Sequence, residues 1–197
     1  MDDITISNVL KSFTNDNDNY LGILTLSQLY NFDIDRHTNS ILVLFIENIS
    51  KNLGHWVAIL KIKNKIYFLD SFGLHPKLYN FDFKHIFKSK LKYDYYYLNL
   101  QTQSDSSSTC GAYTIFFIHT IIWCKYTITC FKKSVLKNLS HKNNILNDHF
   151  IIKYMYKHFK NILPSNCQEL FCNTKFIINR ENCVKLVCKN SSKVTII

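Results

Sequence analysis

Residues 104–125 read SDSSSTCGAYTIFFIHTIIWCK, a serine-rich polar loop that gives way at Cys110 to an apolar run. The run is apolar on nearly every face. That pattern predicts a helix over Cys110–Lys125 buried at the centre of a domain, not one lying on its surface. It is too short to span a bilayer and contains Thr114, His119 and Thr120. Ser106–Thr109 can supply the N-cap. Cys110 then opens the first turn, where the positive end of the helix dipole and free backbone N–H groups favour the thiolate, the reactive form. Gly111 beside it leaves room for close approach of a substrate backbone.

Upstream, Ile41–Ile46 is a continuous aliphatic run and reads as a buried strand. His55–Lys61 and Lys65–Asp70 read as two more strands forming a hairpin. A turn centred near Ile62-Lys63 pairs 55 with 70, 57 with 68 and 59 with 66. Sliding that centre by one whole residue keeps His55 and Asp70 on one face. Directly paired side chains sit roughly 5 Å apart at Cβ. A carboxylate there can accept from one imidazole nitrogen and leave the other as a base. Tyr95–Leu100 reads as a fourth strand, Thr5–Phe13 as a short helix, and Ile145–Ile162 as an amphipathic helix ending before Pro164. The tail, Phe176–Ile197, alternates as one or two strands. The whole is an α+β chain, expected to be a single domain over 1–197.

Gln103 lies in the polar loop before Cys110. Its amide can donate to a developing oxyanion beside the Cys110 N–H, and Gln101 competes for that role. His119 lies about 13 Å along the helix from Cys110, too far to serve it, and reads as a core histidine.

The chain has 197 residues, 47% hydrophobic and 19% charged, which fits a globular fold. Its formal charge is +10, carried almost wholly by lysine; the only arginines are Arg36 and Arg180. Such a surface suits non-specific attraction to a polyanion better than base-specific readout. The acidic start, Met1-Asp2-Asp3-Ile4, has no apolar run behind it and is no signal peptide. An intracellular protein with no membrane association follows, its seven cysteines expected to be thiols or ligands. Cys167-x4-Cys172 and Cys183-x4-Cys188 repeat one spacing, at the wide end for paired zinc ligands, and buried thiols are the favoured reading.

Taken in order, Gly54-His55-Trp56-Val57-Ala58, Phe68-Leu69-Asp70-Ser71-Phe72-Gly73, Thr102-Gln103-Ser104 and Cys110-Gly111 resemble the adenovirus proteinase (adenain) family of cysteine endopeptidases. That family is related to the SUMO- and ubiquitin-like-protein proteases. The apolar helix with Phe117-Ile118-His119, and Asn19-Tyr20-Leu21-Gly22 near the start, fit the same pattern. The resemblance covers roughly 5–125 and fades over 126–197, read only as a helical region and a variable tail. It implies His55 as base, Asp70 as its orienting group, Cys110 as nucleophile and Gln103 in the oxyanion hole, with Gly54, Trp56 and Gly111 near substrate. Asp70 stands where the adenovirus enzymes have Glu and the SUMO-protease branch has Asp. It further implies a central mixed sheet carrying His and Asp, packed on a buried helix that starts at the Cys.

The function so implied is cleavage of viral precursor polypeptides during particle maturation, by a monomer in the host nucleus and the virion. The alternatives are a deubiquitinase or deSUMOylase, or a catalytically silent basic nucleic-acid-binding virion protein on the same fold. No cofactor or metal is required for the chemistry. Activation by DNA or a viral peptide also follows from the resemblance, but no Cys precedes Cys110, so an upstream disulfide tether is excluded.

Overall fold

Strand β2 (Asn39–Asn48) sends Ile41 and Val43 into one core and Leu42, Leu44 and Ile46 into another, the period-two alternation of an extended chain. A continuous aliphatic run is what a strand covered on both faces requires. The computed structural model describes residues 1–14, 20–34, 38–48, 53–81, 93–139 and 143–164, and the backbone alone of 174–178 and 184–188. At 48 and 53, too, only the backbone is described. Around β2 lie β1 (Tyr20–Thr25), β3 (Leu53–Ile62), β4 (Lys65–Leu69) and β5 (Asp94–Tyr97), joined in the order β1-β2-β3-β4-β5. The central pairs β2–β3 and β3–β4 are antiparallel and the outer pairs β1–β2 and β4–β5 parallel. The chain is α+β, as the sequence predicts.

Helix α1 (Asp3–Phe13) is capped by the Asp2 carboxylate, which accepts from Thr5 N–H at 2.7 Å. Helix α2 (Leu26–Leu29) is one turn held by a capping box of Thr25 and Gln28. The long helices are α3 (Cys110–Trp123), α4 (Ile128–Asn138) and α5 (Asn144–Phe159). Ile6 and Leu10 of α1, Phe131 and Val135 of α4, and Ile151 and Met155 of α5 join Trp56, Ala58 and Leu60 of β3 in one core around α3. A helix enclosed by a sheet and three other helices meets water only toward its C-terminal end, where Trp123 is exposed. That is why Cys110–Trp123 carries no polar stripe.

The structure departs from the sequence expectations at several points. The hairpin register puts Ala58 opposite Leu69 and Ile62 opposite Lys65, one residue of turn centre beyond the expected pairing of 55 with 70. Lys63 takes the left-handed conformation, φ 55°, that closes this turn without glycine. Its N–H is spent on the Thr38 carbonyl at 2.8 Å, which ties the turn to the approach to β2. Strand β5 starts at Asp94 and stops at Tyr97, short of Leu100. Strand β1 leaves no strand pattern in the sequence: its residues are all half-buried, and a register shift between Tyr20 and Ile23, with Gly22 at φ 102°, breaks the alternation. The two cysteines at 124 and 130, expected as thiols, form a disulfide with Cα atoms 5.6 Å apart. Lys125 and Tyr126, both at positive φ, fold the chain back between α3 and α4 and bring them together. Two tail strands, β6 (Thr174–Ile178) and β7 (Val184–Cys188), pair antiparallel as a separate sheet. Cys167, Cys172 and Cys183 lie outside the described residues, as does the side chain of Cys188.

Among the described residues no helix is long and apolar enough to cross a membrane. Phe117 is fully buried in the α3 core. Phe117→Ala is expected to cost about 3–5 kcal/mol, read as a lower urea midpoint with an unchanged m-value.

Candidate functional site

His55 and Asp70 carry the parity of the core formed by Val57, Ile59, Ile66 and Phe68, whereas Cys110 belongs to the core on the helix side of the sheet. They meet at the sheet's end, where β3 begins, β4 has ended and α3 starts. Asp70 follows Leu69, the partner of Ala58, so it lies diagonally across from His55 on one face. The diagonal is spanned: His55 Nε2 lies 2.7 Å from Asp70 Oδ1. The other ring nitrogen, Nδ1, is left for the Cys110 thiol, which lines the same cleft and interacts electrostatically with His55.

Asp70 is fully buried and has no unmet capacity. Oδ1 also accepts from the Phe72 N–H at 2.9 Å. Oδ2 accepts from the Leu74 N–H at 3.1 Å and from the Tyr79 hydroxyl at 2.9 Å. Burial and the neighbouring carboxylate push the Tyr79 phenol upward, so it stays a donor. Phe72 and Tyr79 also flank the His55 ring, with centroids 4.9 and 5.8 Å away.

Burial pulls the His55 imidazole down, but the bonds and charges of Asp70 and Cys110 outweigh it and push the group up to about 9. Burial pushes the Cys110 thiol up; the bond to His55, the imidazolium charge and the Trp56 and Gly111 N–H groups outweigh that and hold it below its ordinary value. The two shifts run in opposite directions, and both favour thiolate and imidazolium in the pair. Such a pair can attack an electrophilic carbonyl and return a proton to the leaving group.

Gln103 is also fully buried. Its Oε1 accepts from Ser71 Oγ at 2.6 Å and its Nε2 donates to the Ser107 carbonyl at 2.7 Å. An amide nitrogen has a second proton, and Gln103 lines the same cleft as Cys110. Gln101 turns away to Asp105, 2.7 Å from its Nε2, which removes it as a competitor. Thr109 stands at the N-cap of α3 but makes no side-chain cap bond, contrary to the expectation for Ser106–Thr109. Its hydroxyl is drawn to Ser107 and Asp148, so the first N–H groups of α3 are left for the site.

The cleft has a volume of about 1500 Å3. Gly54 lines it, and a Cβ there would run into the Phe45 ring. Phe45 lies 4.4 Å from Trp56, centroid to centroid, and the Trp56 indole N–H donates to the Met1 carbonyl at 3.2 Å. Gly111 does not give its space to a substrate. A Cβ there would meet Ile6 at 3.0 Å, Met1 at 3.3 Å and Trp56 at 3.4 Å, so the missing side chain lets α1 close on α3. His119 bonds the Tyr154 hydroxyl and packs among Phe13, Phe159 and His158. Among the described residues no His, Cys, Asp and Glu cluster is suited to a metal ion.

Two features escaped the sequence reading. Met1–Asp3 form part of the cleft wall, and Asp148 of α5 grips the loop before Cys110. Neither has a local motif. A buried acid in a mostly amphipathic helix was the one available signal for Asp148.

The pH dependence follows from the pair. Thiolate is lost as pH falls through the lowered Cys110 value, and the imidazolium proton is lost as pH rises through about 9. Alkylation of Cys110 by iodoacetamide should therefore begin below the ordinary thiol range and persist above pH 9. In His55→Ala its midpoint should move up toward roughly 8.5. Identical midpoints in the two proteins would refute the ion pair.

No family model matches the chain, and no curated protein matches it. Among solved structures, that of ChlaDub1 from Chlamydia trachomatis is similar at 12% identity and a TM-score of 0.43, over 83% of this chain and 79% of that one.

Proposed function

We propose that this chain is a cysteine endopeptidase working by acyl transfer. One observation carries the reading: Asp70 holds His55 through a 2.7 Å hydrogen bond, and His55 shares one cleft with Cys110, which opens the free N-terminus of α3. In the proposed cycle the Cys110 thiolate attacks the scissile carbonyl. The second amide proton of Gln103 and the Cys110 N–H stabilise the oxyanion, typically by about 3 kcal/mol per donor. His55 gives its proton to the leaving amine, then draws one from the water that hydrolyses the thioester. Asp70 keeps the ring in the tautomer this requires.

The cleft supports a polypeptide substrate. Asp2, Asp3, Glu47 and Asp105 line it with apolar side chains such as Leu74 and Leu78, and none of its described lining residues is Lys or Arg. A polyanion would be repelled there, so nucleic acid drawn by the +10 charge would bind elsewhere and act as an activator.

The finer reading is cleavage of viral precursor polypeptides in the host cell and the virion, and it rests on the ordered series from Gly54 to Gly111. The second reading, a protease for ubiquitin-like proteins, is favoured by Asp70 in place of Glu. Incubation of wild type and Cys110→Ala with virion precursors and with fusions ending in Gly-Gly, each with and without DNA, separates the two. Only wild type should cleave; equal cleavage by both proteins removes the proposal. Gln103→Ala should lower kcat by about 10²–10³-fold while Cys110 still alkylates.

A further inference from the structure

The loop between Gln103 and Cys110 bears both groups assigned to the oxyanion, and neither end of it belongs to the sheet. Its first residues are held from the hairpin: Thr102 and Gln103 both donate their N–H to the Ser71 carbonyl, at 2.8 and 3.0 Å. Apart from the bond from Gln101 to Asp105, the rest is held from the other side of the molecule by one residue. Asp148, in α5, is 7% exposed. Its Oδ2 accepts from Ser104 Oγ at 2.5 Å and from the Ser104 N–H at 3.3 Å. Its Oδ1 accepts from Thr109 Oγ1 at 3.2 Å and from the Tyr113 hydroxyl at 3.0 Å. The Tyr113 proton is shared with the Thr102 carbonyl, 2.7 Å away, so the same carboxylate reaches the start of the loop as well.

These contacts fall on either side of the reacting groups. Ser104 follows Gln103 directly, and Thr109 precedes Cys110 directly. Ser107, whose carbonyl takes one Gln103 amide proton, is itself bonded to Thr109. Moving Thr109 therefore moves the cap of α3 and the acceptor that sets the rotation of the Gln103 amide. A carboxylate buried at this depth is costly unless its oxygens are filled. Here burial does push Asp148 up, against the bonds from Ser104, Tyr113 and Thr109.

We propose that Asp148 is a positioning residue for the oxyanion site, setting the distance between the Gln103 amide and the Cys110 N–H without touching substrate. The inference rests on the acyl-transfer reading above. Helix α5 thereby contributes to the chemistry, from a region whose sequence does not resemble the protease pattern.

Two reactions of the same sulfur provide the test. Alkylation by iodoacetamide needs the thiolate and builds no oxyanion. Acylation by p-nitrophenyl acetate, read as the burst of p-nitrophenolate, passes through one. Asp148→Asn should acylate about 10–100-fold more slowly, the scale of a misplaced donor, while alkylating within about twofold of wild type at the same pH. Asp148→Glu should restore part of the burst rate. If Asp148→Asn does not fold, Tyr113→Phe and Thr109→Val each remove one of the bonds to Asp148, together with that hydroxyl's second contact, and should show the same split on a smaller scale. Equal acylation by variant and wild type overturns the inference alone. Acylation and alkylation falling in parallel overturns it too, because the effect is then general to the fold. A wild type that alkylates but never acylates ends the protease reading and this inference with it.

Discussion

The arrangement of His55, Ser71 and Gln103 depends on the carboxylate of Asp70. It is fully buried yet accepts hydrogen bonds from two backbone N–H groups, a phenol and His55. A charge at that depth is tolerated only when its lone pairs are filled, and filling them fixes the chain around it. The N–H groups of Phe72 and Leu74 curl the segment after β4 back over the strand end. That turn sets Ser71, which in turn holds Thr102 and Gln103. The same carboxylate sets the His55 ring and raises its proton affinity, which lowers that of Cys110. On the His55 side of the site, geometry and electrostatics therefore have one origin.

Much of this was legible in the sequence because it follows from parity. In an extended chain His55 and Asp70 share a face for any register that shifts by whole residues of turn centre. The turn lies one such residue beyond the expected centre, since Lys61-Ile62-Lys63-Asn64-Lys65 has no glycine to mark it, and either register keeps the pair on one face. The all-round apolarity of Cys110–Trp123 likewise announced a central helix. What local pattern did not announce was decided by distant contacts. Gly111 looks open in a string of letters, but α1 and Met1 occupy its space. Ser106–Thr109 looks like a cap, but a carboxylate from α5 claims the threonine. Cys124 and Cys130 read as thiols because composition speaks to the compartment, whereas their pairing depends on two positive-φ residues between helices.

The site also explains the mismatch between a basic surface and an acidic cleft. Lysines keep an aromatic-rich chain in solution wherever they point outward, and their number carries no information about the cavity. The cleft is built from the ends of strands and the first residues of α1, where Asp2 serves as a helix cap. Its charge follows partly from capping chemistry, and that chemistry selects Asp whatever the rest of the surface carries.

The bond from the Trp56 indole to the Met1 carbonyl has a practical side. Met1, Asp2 and Asp3 are cleft wall, so whatever is joined ahead of Met1 leaves the fold at the mouth of the site. A purification handle fused there would hang over the sulfur as a tethered competitor, and a protein handled that way can look inert for reasons unrelated to its chemistry. Removing such a handle before assay keeps the cleft clear.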